Sequence, residues 1–314
     1  MIINILQFAV GTVLLYYGAD YLVLGSKSIA SKFKIPSIVV GITLVAFGTS
    51  LPELIVSITA LLKGEPGIVV GNVVGSNIAN IGLVLATTAI IVPIIFSIKK
   101  IQFDFYFLIF ITFLPIIFIY LGELGMWNGI CFLLLLCGYC WHLINNDHDF
   151  AEEISKKNTS SGFITIIKII VGIIGLGLGA HLFVLGAKGI AVALGISSLI
   201  IGMSIVALGT SLPELSTSLT AAKHGETEFV IGNIIGSNIM NIVVVLGFTL
   251  IISPISVEFN HVAIHGIFMV ILTLGLFFLL KFKGGVTKSS GGVMILIYII
   301  FLYINFQQGT GIEF

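Results

Sequence analysis

The chain has 314 residues, 58% of them hydrophobic and 9% charged, with a mean hydropathy of +1.20. A soluble domain of this size cannot hide so much apolar surface, and 14 basic against 14 acidic residues leave no net charge to attract nucleic acid. Apolar runs of about 20 residues, the length that crosses a bilayer as a helix, recur along the whole chain, so the class is a polytopic all-α membrane protein.

Hydropathy and turn residues predict ten spans. The first, near 3–25, has no basic segment before it and no small-residue cleavage site, so it is a retained helix and not a secretory signal. The second, near 36–61, contains "AFGTSLPEL", Ala46 to Leu54, with a proline and a glutamate in mid-span. The third, near 67–94, contains "GNVVGSNIANIG", Gly71 to Gly82. Spans four and five follow near 102–121 and 125–145. Cys131, Cys137 and Cys140 fall in the fifth, where their irregular spacing in apolar surroundings points to helix packing, not to a metal site or disulfide framework. Trp127 and Trp141, near its two ends, suit the interfacial aromatic belt. A polar stretch from Asn145 to Gly162 then splits the chain. The remaining spans lie near 162–187, 197–222, 228–252, 260–281 and 291–308. The seventh holds "ALGTSLPEL", Ala207 to Leu215, and the eighth "GNIIGSNIMNIV", Gly232 to Val243.

The two halves align without a gap at a constant offset of 161 residues: Gly11 with Gly172, Gly25 with Gly186, Glu53 with Glu214, Asn80 with Asn241, Pro93 with Pro254. This is a duplication. The expected organisation is a first five-helix repeat at 1–144, a cytoplasmic linker at 145–161, and a second repeat at 162–314. Five spans is an odd number, so the second repeat enters the membrane from the opposite side. Inverted repeats recur in secondary transporters, with the binding site at the repeat interface near the midplane.

All 14 basic residues are lysines. Twelve fall on one side of the ten-span scheme (Lys27, Lys32, Lys34, Lys99, Lys100, Lys156, Lys157, Lys168, Lys223, Lys281, Lys283 and Lys288), and only Lys63 and Lys188 on the other. The rich side is cytoplasmic by the positive-inside rule, which puts both termini outside a plasma membrane.

Two segments per half carry chemistry. In "GTSLPE", Pro52 and Pro213 have no N–H, which frees the carbonyls of Gly48 and Gly209. Freed carbonyls at membrane depth need a partner, and a cation can be one. Glu53 and Glu214 are the acidic residues well inside spans two and seven; a charge there costs about 2.5–3.5 kcal/mol or more, which makes function the default explanation. Thr49, Ser50, Thr210 and Ser211 add hydroxyls on the same turns. In the second segment Asn72, Ser76 and Asn80 are spaced by four and share a helix face, with Asn77 beside it. Asn233, Ser237, Asn238 and Asn241 repeat them. Gly71 with Gly75, and Gly232 with Gly236, form small-xxx-small pairs that permit close helix contact; Ser, Asn and Gly in such helices also act as packing glue.

The sum is an oxygen-rich site with two carboxylates. Hard oxygen ligands select Ca²⁺, Mg²⁺ or alkali cations over soft metals. Two negative charges match one divalent ion, and Mg²⁺ gives up its water reluctantly, so a dehydrating cage fits Ca²⁺ better. Na⁺, of nearly the same size, could use the same oxygens.

These paired motifs resemble the two α-repeats of the sodium/calcium exchanger family, within the cation/calcium antiporter superfamily, and the short linker resembles its prokaryotic members. The resemblance covers essentially the whole chain. It implies a Ca²⁺ site shared by Glu53 and Glu214 and completed by the carbonyls of Thr49 and Thr210. It implies an outer Na⁺ site of Ser76, Ala207, Thr210, Ser211 and Glu214, and an inner one of Ala46, Thr49, Ser50, Glu53 and Ser237. Asn80 and Asn241 would line a central position, and spans one and six would slide together to alternate access. Close prokaryotic relatives often carry an aspartate at the place of Asn241. Here both central residues are amides, so the two glutamates alone supply the site charge, which argues against K⁺ co-transport.

The expectation is a secondary antiporter exchanging Na⁺ for Ca²⁺, electrogenic, with no cofactor and no obligate protein partner, and not an enzyme. Exchange of H⁺ or of another divalent cation is the alternative within transport. A cation channel would need a continuous pore, and an intramembrane hydrolase a nucleophile–His pair or a metal-binding His motif at membrane depth. Asp20 and its counterpart His181 are expected to bond within the bundle, and Glu65 and Glu226 to be solvated loop charges.

Overall fold

The computed structural model describes residues 1–33, 35–122, 124–146, 162–194, 209–257 and 259–310. Lys34, Lys156, Lys157, Ala207, linker residues 147–161 and the first half of the seventh span lie outside the described residues.

Helices α1 (Ile2–Phe33), α2 (Ser37–Leu62), α3 (Pro66–Ile91), α4 (Gln102–Tyr120), α5 (Met126–Asn146) and α6 (Gly162–Ala193) follow one another along the chain. Then come α7 (Leu212–Lys223), α8 (Thr227–Ile252), α9 (Phe259–Lys283) and α10 (Lys288–Thr310). Nine of these are long and apolar enough to cross a membrane, and α7 is a described part of the seventh span. Two short strands, β1 (Ile94–Ile95) and β2 (Gly285–Val286), pair antiparallel and tie the end of α3 to the α9–α10 turn.

The repeat is visible in the turns. Gly64 at φ 75° and Gly225 at φ 77° end α2 and α7 in the left-handed region that favours glycine. The N–H of Glu65 donates to the carbonyl of Ala60 at 3.0 Å, and that of Glu226 to Ala221 at 2.9 Å. The hairpins α2–α3 and α7–α8 are therefore closed by the same C-cap.

The inversion is visible in α1 and α6, which are equivalent helices and share an extensive interface. Gly11 meets Gly179 and Phe183, Gly18 meets Gly172 and Leu176, and Gly25 meets Ile169. Contacts descend along α6 as they ascend along α1, so the two helices are antiparallel. Equivalent elements packed antiparallel are related by a two-fold axis in the membrane plane, so the fold is ten membrane helices in two inverted five-helix repeats.

The contact is close because of glycine. Gly11, Gly18 and Gly25 recur every seven residues, as do Gly172, Gly179 and Gly186. A Cβ on Gly11 would come to 2.4 Å from the backbone of Phe183, and one on Gly186 to 2.3 Å from that of Phe8. The opposite faces of both helices are exposed and apolar, with Val10, Val13 and Tyr17 on α1 and Ile167, Ile174 and Leu178 on α6. This is the pattern of a helix pair facing lipid.

The hairpins fill the centre. Every residue of α8 from Phe229 to Gly247 is buried. Gly232 and Gly236 seat it on α2, where a Cβ would lie 2.5 Å from the Ile38 carbonyl and 2.3 Å from that of Ile42. This is the close contact expected of the second small-xxx-small pair. The peripheral helix α5 carries Trp127 and Trp141 exposed near its two ends, as the belt requires; Cys137 is exposed, and Cys131 and Cys140 are half-buried.

Candidate cation site

The α2 span breaks at Ser50. One helical stretch ends at Thr49 and the next starts at Leu51, with Ser50 between them at φ −86°, ψ 1°. Ser211 stands before α7 at φ −85°, ψ 3°. Both lie in the sparsely allowed bridge region. The cause is local: Pro52 and Pro213 fit the first turn of a helix but cannot continue an earlier one. The break is confined, since the N–H of Ser50 still donates to Ala46 at 3.0 Å and that of Leu54 to Ser50 at 3.2 Å. The helix therefore breaks where its proline and glutamate indicate, and the break is short.

The restart decides the electrostatics. Glu53 and Glu214 fall in the first turns of the new helices, where the positive end of the helix dipole favours a carboxylate. A serine at the N-cap ordinarily accepts a hydrogen bond from an amide of that turn. Ser50 and Ser211 do not, and both hydroxyl oxygens are buried without a partner among the described residues.

Both glutamates are fully buried. All four of their carboxylate oxygens lack a hydrogen-bond partner among the described residues, and the two groups are close enough to interact electrostatically. The Thr49 hydroxyl lies 3.3 Å from Ser237 Oγ, 3.4 Å from Asn233 Oδ1 and 3.3 Å from the Ala46 carbonyl. Thr49 and Ser237 flank the Glu214 carboxylate without closing a hydrogen bond to it. A residue of the first break thus meets the acid of the second, and the two turns form one site. Unpaired buried carboxylates are costly unless a counter-charge joins them; an all-oxygen set of this kind suits a hard cation.

Supporting residues repeat at the same offset. Asn72 donates to the Glu53 carbonyl at 3.0 Å and to Ser57 Oγ at 2.9 Å; Asn233 donates to Ser218 Oγ at 3.2 Å. Ser57 and Ser218 escaped the sequence reading, although each stands four residues after its glutamate. Ser76 is buried on α3, Ala46 is buried before the first break, and Thr210 is half-buried beside the second.

Asn80 and Asn241 are fully buried, and each opens a π-helical segment, Asn80–Leu85 and Asn241–Leu246. Such bulges mark functional sites in many helices, but nothing in residue spacing announced them. The first packs on α7, whose first turn holds Glu214, and the second on the Leu51–Leu62 part of α2, whose first turn holds Glu53. Each π-helical segment thus packs on the helix that bears the opposite repeat's acid.

Away from the centre, Asp20 meets His224 at 3.0 Å, and Lys27 pairs with Glu226 at 2.7 Å. Asp20 therefore does bond within the bundle, whereas Glu226 is an ion-pair partner of α1 and not a solvated loop charge. His181 and Glu65 are exposed. Asp104, buried in the first turn of α4, accepts a hydrogen bond from Tyr139 of α5 at 2.6 Å; its place at a predicted span end hid it. The inner ends of the two GTS turns share a cover: a Cβ on Gly48 would meet Ile173, and one on Gly209 would meet Val184, both on α6.

The model of the family described as sodium/calcium exchanger protein matches residues 3–145 and 164–307. The chain belongs to the sodium/calcium exchanger family. An uncharacterised membrane protein of Methanocaldococcus jannaschii is 39% identical over 301 residues, 96% of this chain and 97% of its own length. The sodium/calcium exchanger MaX1 of Methanosarcina acetivorans is 31% identical over 345 residues, covering 97% of this chain and 99% of the relative. Among solved structures, the sodium-calcium exchanger NCX_Mj soaked with zero Na⁺ and Ca²⁺ superposes with a TM-score of 0.81 at 39% identity, over 95% of this chain and 97% of that one. The same exchanger soaked with Na⁺ and zero Ca²⁺ gives a TM-score of 0.83. The family is therefore matched by sequence and by fold along nearly the whole chain.

Proposed function

We propose that this membrane protein exchanges Na⁺ for Ca²⁺ across the plasma membrane by alternating access. The observation that carries the reading is the pair of fully buried glutamates with unpartnered oxygens, each in the first turn of a broken membrane helix. Two carboxylates balance one Ca²⁺ or two Na⁺, and exchange is electrogenic when the Na⁺-loaded state takes a third ion at the central position. Glu53, Glu214 and the carbonyls of Thr49 and Thr210 hold Ca²⁺. Ser76, Ala207, Thr210 and Ser211 with Glu214 form one Na⁺ site; Ala46, Thr49, Ser50 and Ser237 with Glu53 form the other, and Asn80 and Asn241 lie between.

The glycine seam supports a moving pair. Helices packed through glycine backbones travel together, and α6 rests on both breaks. A shift of α1 and α6 along the bundle exposes one side of the site while covering the other. The lysine bias puts the Lys27–Glu226 end in the cytoplasm and both termini outside.

The test is ⁴⁵Ca²⁺ uptake into proteoliposomes preloaded with Na⁺, K⁺ or buffered protons. Uptake should require internal Na⁺ and respond to membrane potential. Equal uptake without a Na⁺ gradient would overturn the sodium-coupled reading in favour of H⁺ or passive divalent transport.

A further inference from the structure

The two central amides present a problem of orientation. An asparagine side chain has a carbonyl oxygen on one branch and an NH₂ on the other, and only the oxygen serves a cation. Asn80 and Asn241 are of use to the site only if each is held oxygen-first. The structure contains a relay that does this, made of residues outside the ion-binding set.

It starts at a group that cannot be turned round. The backbone carbonyl of Asn77 only accepts, and the Asn238 side chain donates its NH₂ to it at 3.4 Å. Asn238 must then direct its Oδ1 away from that carbonyl, and this oxygen accepts from Asn80 Nδ2 at 3.0 Å. With its NH₂ engaged, Asn80 is left with its Oδ1 free. The second arm is anchored differently. Asn77 Nδ2 is directed at the thioether sulfur of Met269 at 3.7 Å, and sulfur there is an acceptor only. Asn77 therefore turns its Oδ1 to Asn241 Nδ2 at 3.3 Å, and Asn241 in turn has its Oδ1 free. Asn80 Oδ1 and Asn241 Oδ1 are both buried oxygens without a partner among the described residues. Asn77 and Asn238 are each 1% exposed, so water does not compete for the relay.

We propose that Asn77 and Asn238 are positioning residues that fix Asn241 and Asn80, respectively, carbonyl-first toward the transported cation, with Met269 as the lock on Asn77. The proposal rests on the exchanger reading above and deepens it. The two arms are unequal, since a thioether is a weaker acceptor than a peptide carbonyl. The residue equivalent to Met269 in the first repeat is Leu108, so this inequality is written into the chain.

A rescue experiment tests it. A carboxylate has oxygen on both branches and needs no orienting. Asn77→Ala should raise the KM for Ca²⁺ by about tenfold, the scale of one well-placed polar contact, with kcat nearly kept. Adding Asn241→Asp should restore the KM, whereas adding Asn80→Asp should not. Asn238→Ala should show the converse, with rescue by Asn80→Asp alone. Met269→Leu, which conserves volume and folds as the parent does, should raise the KM about two- to threefold and be rescued only by Asn241→Asp. An unchanged KM in Asn77→Ala or Met269→Leu, or equal rescue by either acid, would overturn the proposal. If Asn77→Ala does not fold, the Met269→Leu arm decides alone. Unmutated protein in the same vesicles is the reference: its failure to exchange would sink the exchanger reading, while failure confined to the variants sinks only the relay.

Discussion

Two pairs of equivalent helices cross the same two-fold axis, and they are built on opposite principles. Where α1 meets α6 the contact is glycine against backbone at a seven-residue spacing, and the side-chain hydrogen bonds of Thr12 and Ser28 run back into their own helix. Where α3 meets α8 the contact is four asparagines joined by directional bonds of 3.0–3.4 Å. A glycine seam interlocks two backbones by close packing without directional side-chain bonds between them. An amide network specifies position and resists displacement, since each broken bond leaves a buried polar group unpaired. The first is what a helix pair that travels as one unit requires, and the second is what a fixed cation site requires.

The largest effect expected from breaking this division lies at the acids. Glu53→Gln or Glu214→Gln removes half of the charge that balances a divalent ion. At about 3–5 kcal/mol for one partner of a buried charge pair, Na⁺-driven ⁴⁵Ca²⁺ uptake should fall at least ~100-fold. Retention of more than about a tenth of the activity would remove those residues from the centre of the site.

Next comes the seam. Gly18→Leu would place a Cβ 2.8 Å from the backbone of Leu176. Overpacking of this kind costs about 1–3 kcal/mol, and it should slow turnover roughly tenfold or more while equilibrium Ca²⁺ binding in detergent stays near the parent value. Loss of binding together with turnover would mean that the seam also shapes the site.

A smaller change is expected at Thr49→Val, which keeps the backbone carbonyl and side-chain volume but loses the hydroxyl contacts to Ser237 and Asn233. At about 0.5–1.5 kcal/mol per hydrogen bond, the KM for Na⁺ should rise about three- to tenfold, more than that for Ca²⁺. An equal rise for both ions would contradict the assignment of this hydroxyl to a sodium position.

The smallest lies at the rim. Lys27 and Glu226 form a half-exposed ion pair, and such pairs contribute about 0–1 kcal/mol. Lys27→Gln should change exchange by less than about twofold, with the difference vanishing at high salt. A large effect would show that this contact controls the position of α1.

Much of the architecture was legible in the chain because membrane solvation leaves few choices. A backbone in lipid must satisfy its own hydrogen bonds, so apolar runs become helices and their number and length follow. A gapless repeat of five spans then dictates inversion by parity alone. Glu53, Glu214, Pro52 and Pro213 announced the site because a buried charge and a missing N–H are costly wherever they fall. Asp104 is not legible in this way, since it stands at a span end where an acid looks solvated, and neither is the ion pair of Glu226, since no sequence pattern indicates that Lys27 lies across from it.

Tertiary structure alone decided three things. It left the hydroxyls of Ser50 and Ser211 buried at the two helix breaks with no cap bond and no partner among the described residues. It placed π-helical turns that open at Asn80 and Asn241 and pack against the opposite repeat's glutamate-bearing helix. It also paired Asn77 with Asn241 and Asn238 with Asn80 across the axis. Spacing within one helix fixes which residues share a face. Which branch of an amide, its oxygen or its NH₂, is left free depends on a partner far away in the chain, and only the folded bundle supplies that partner.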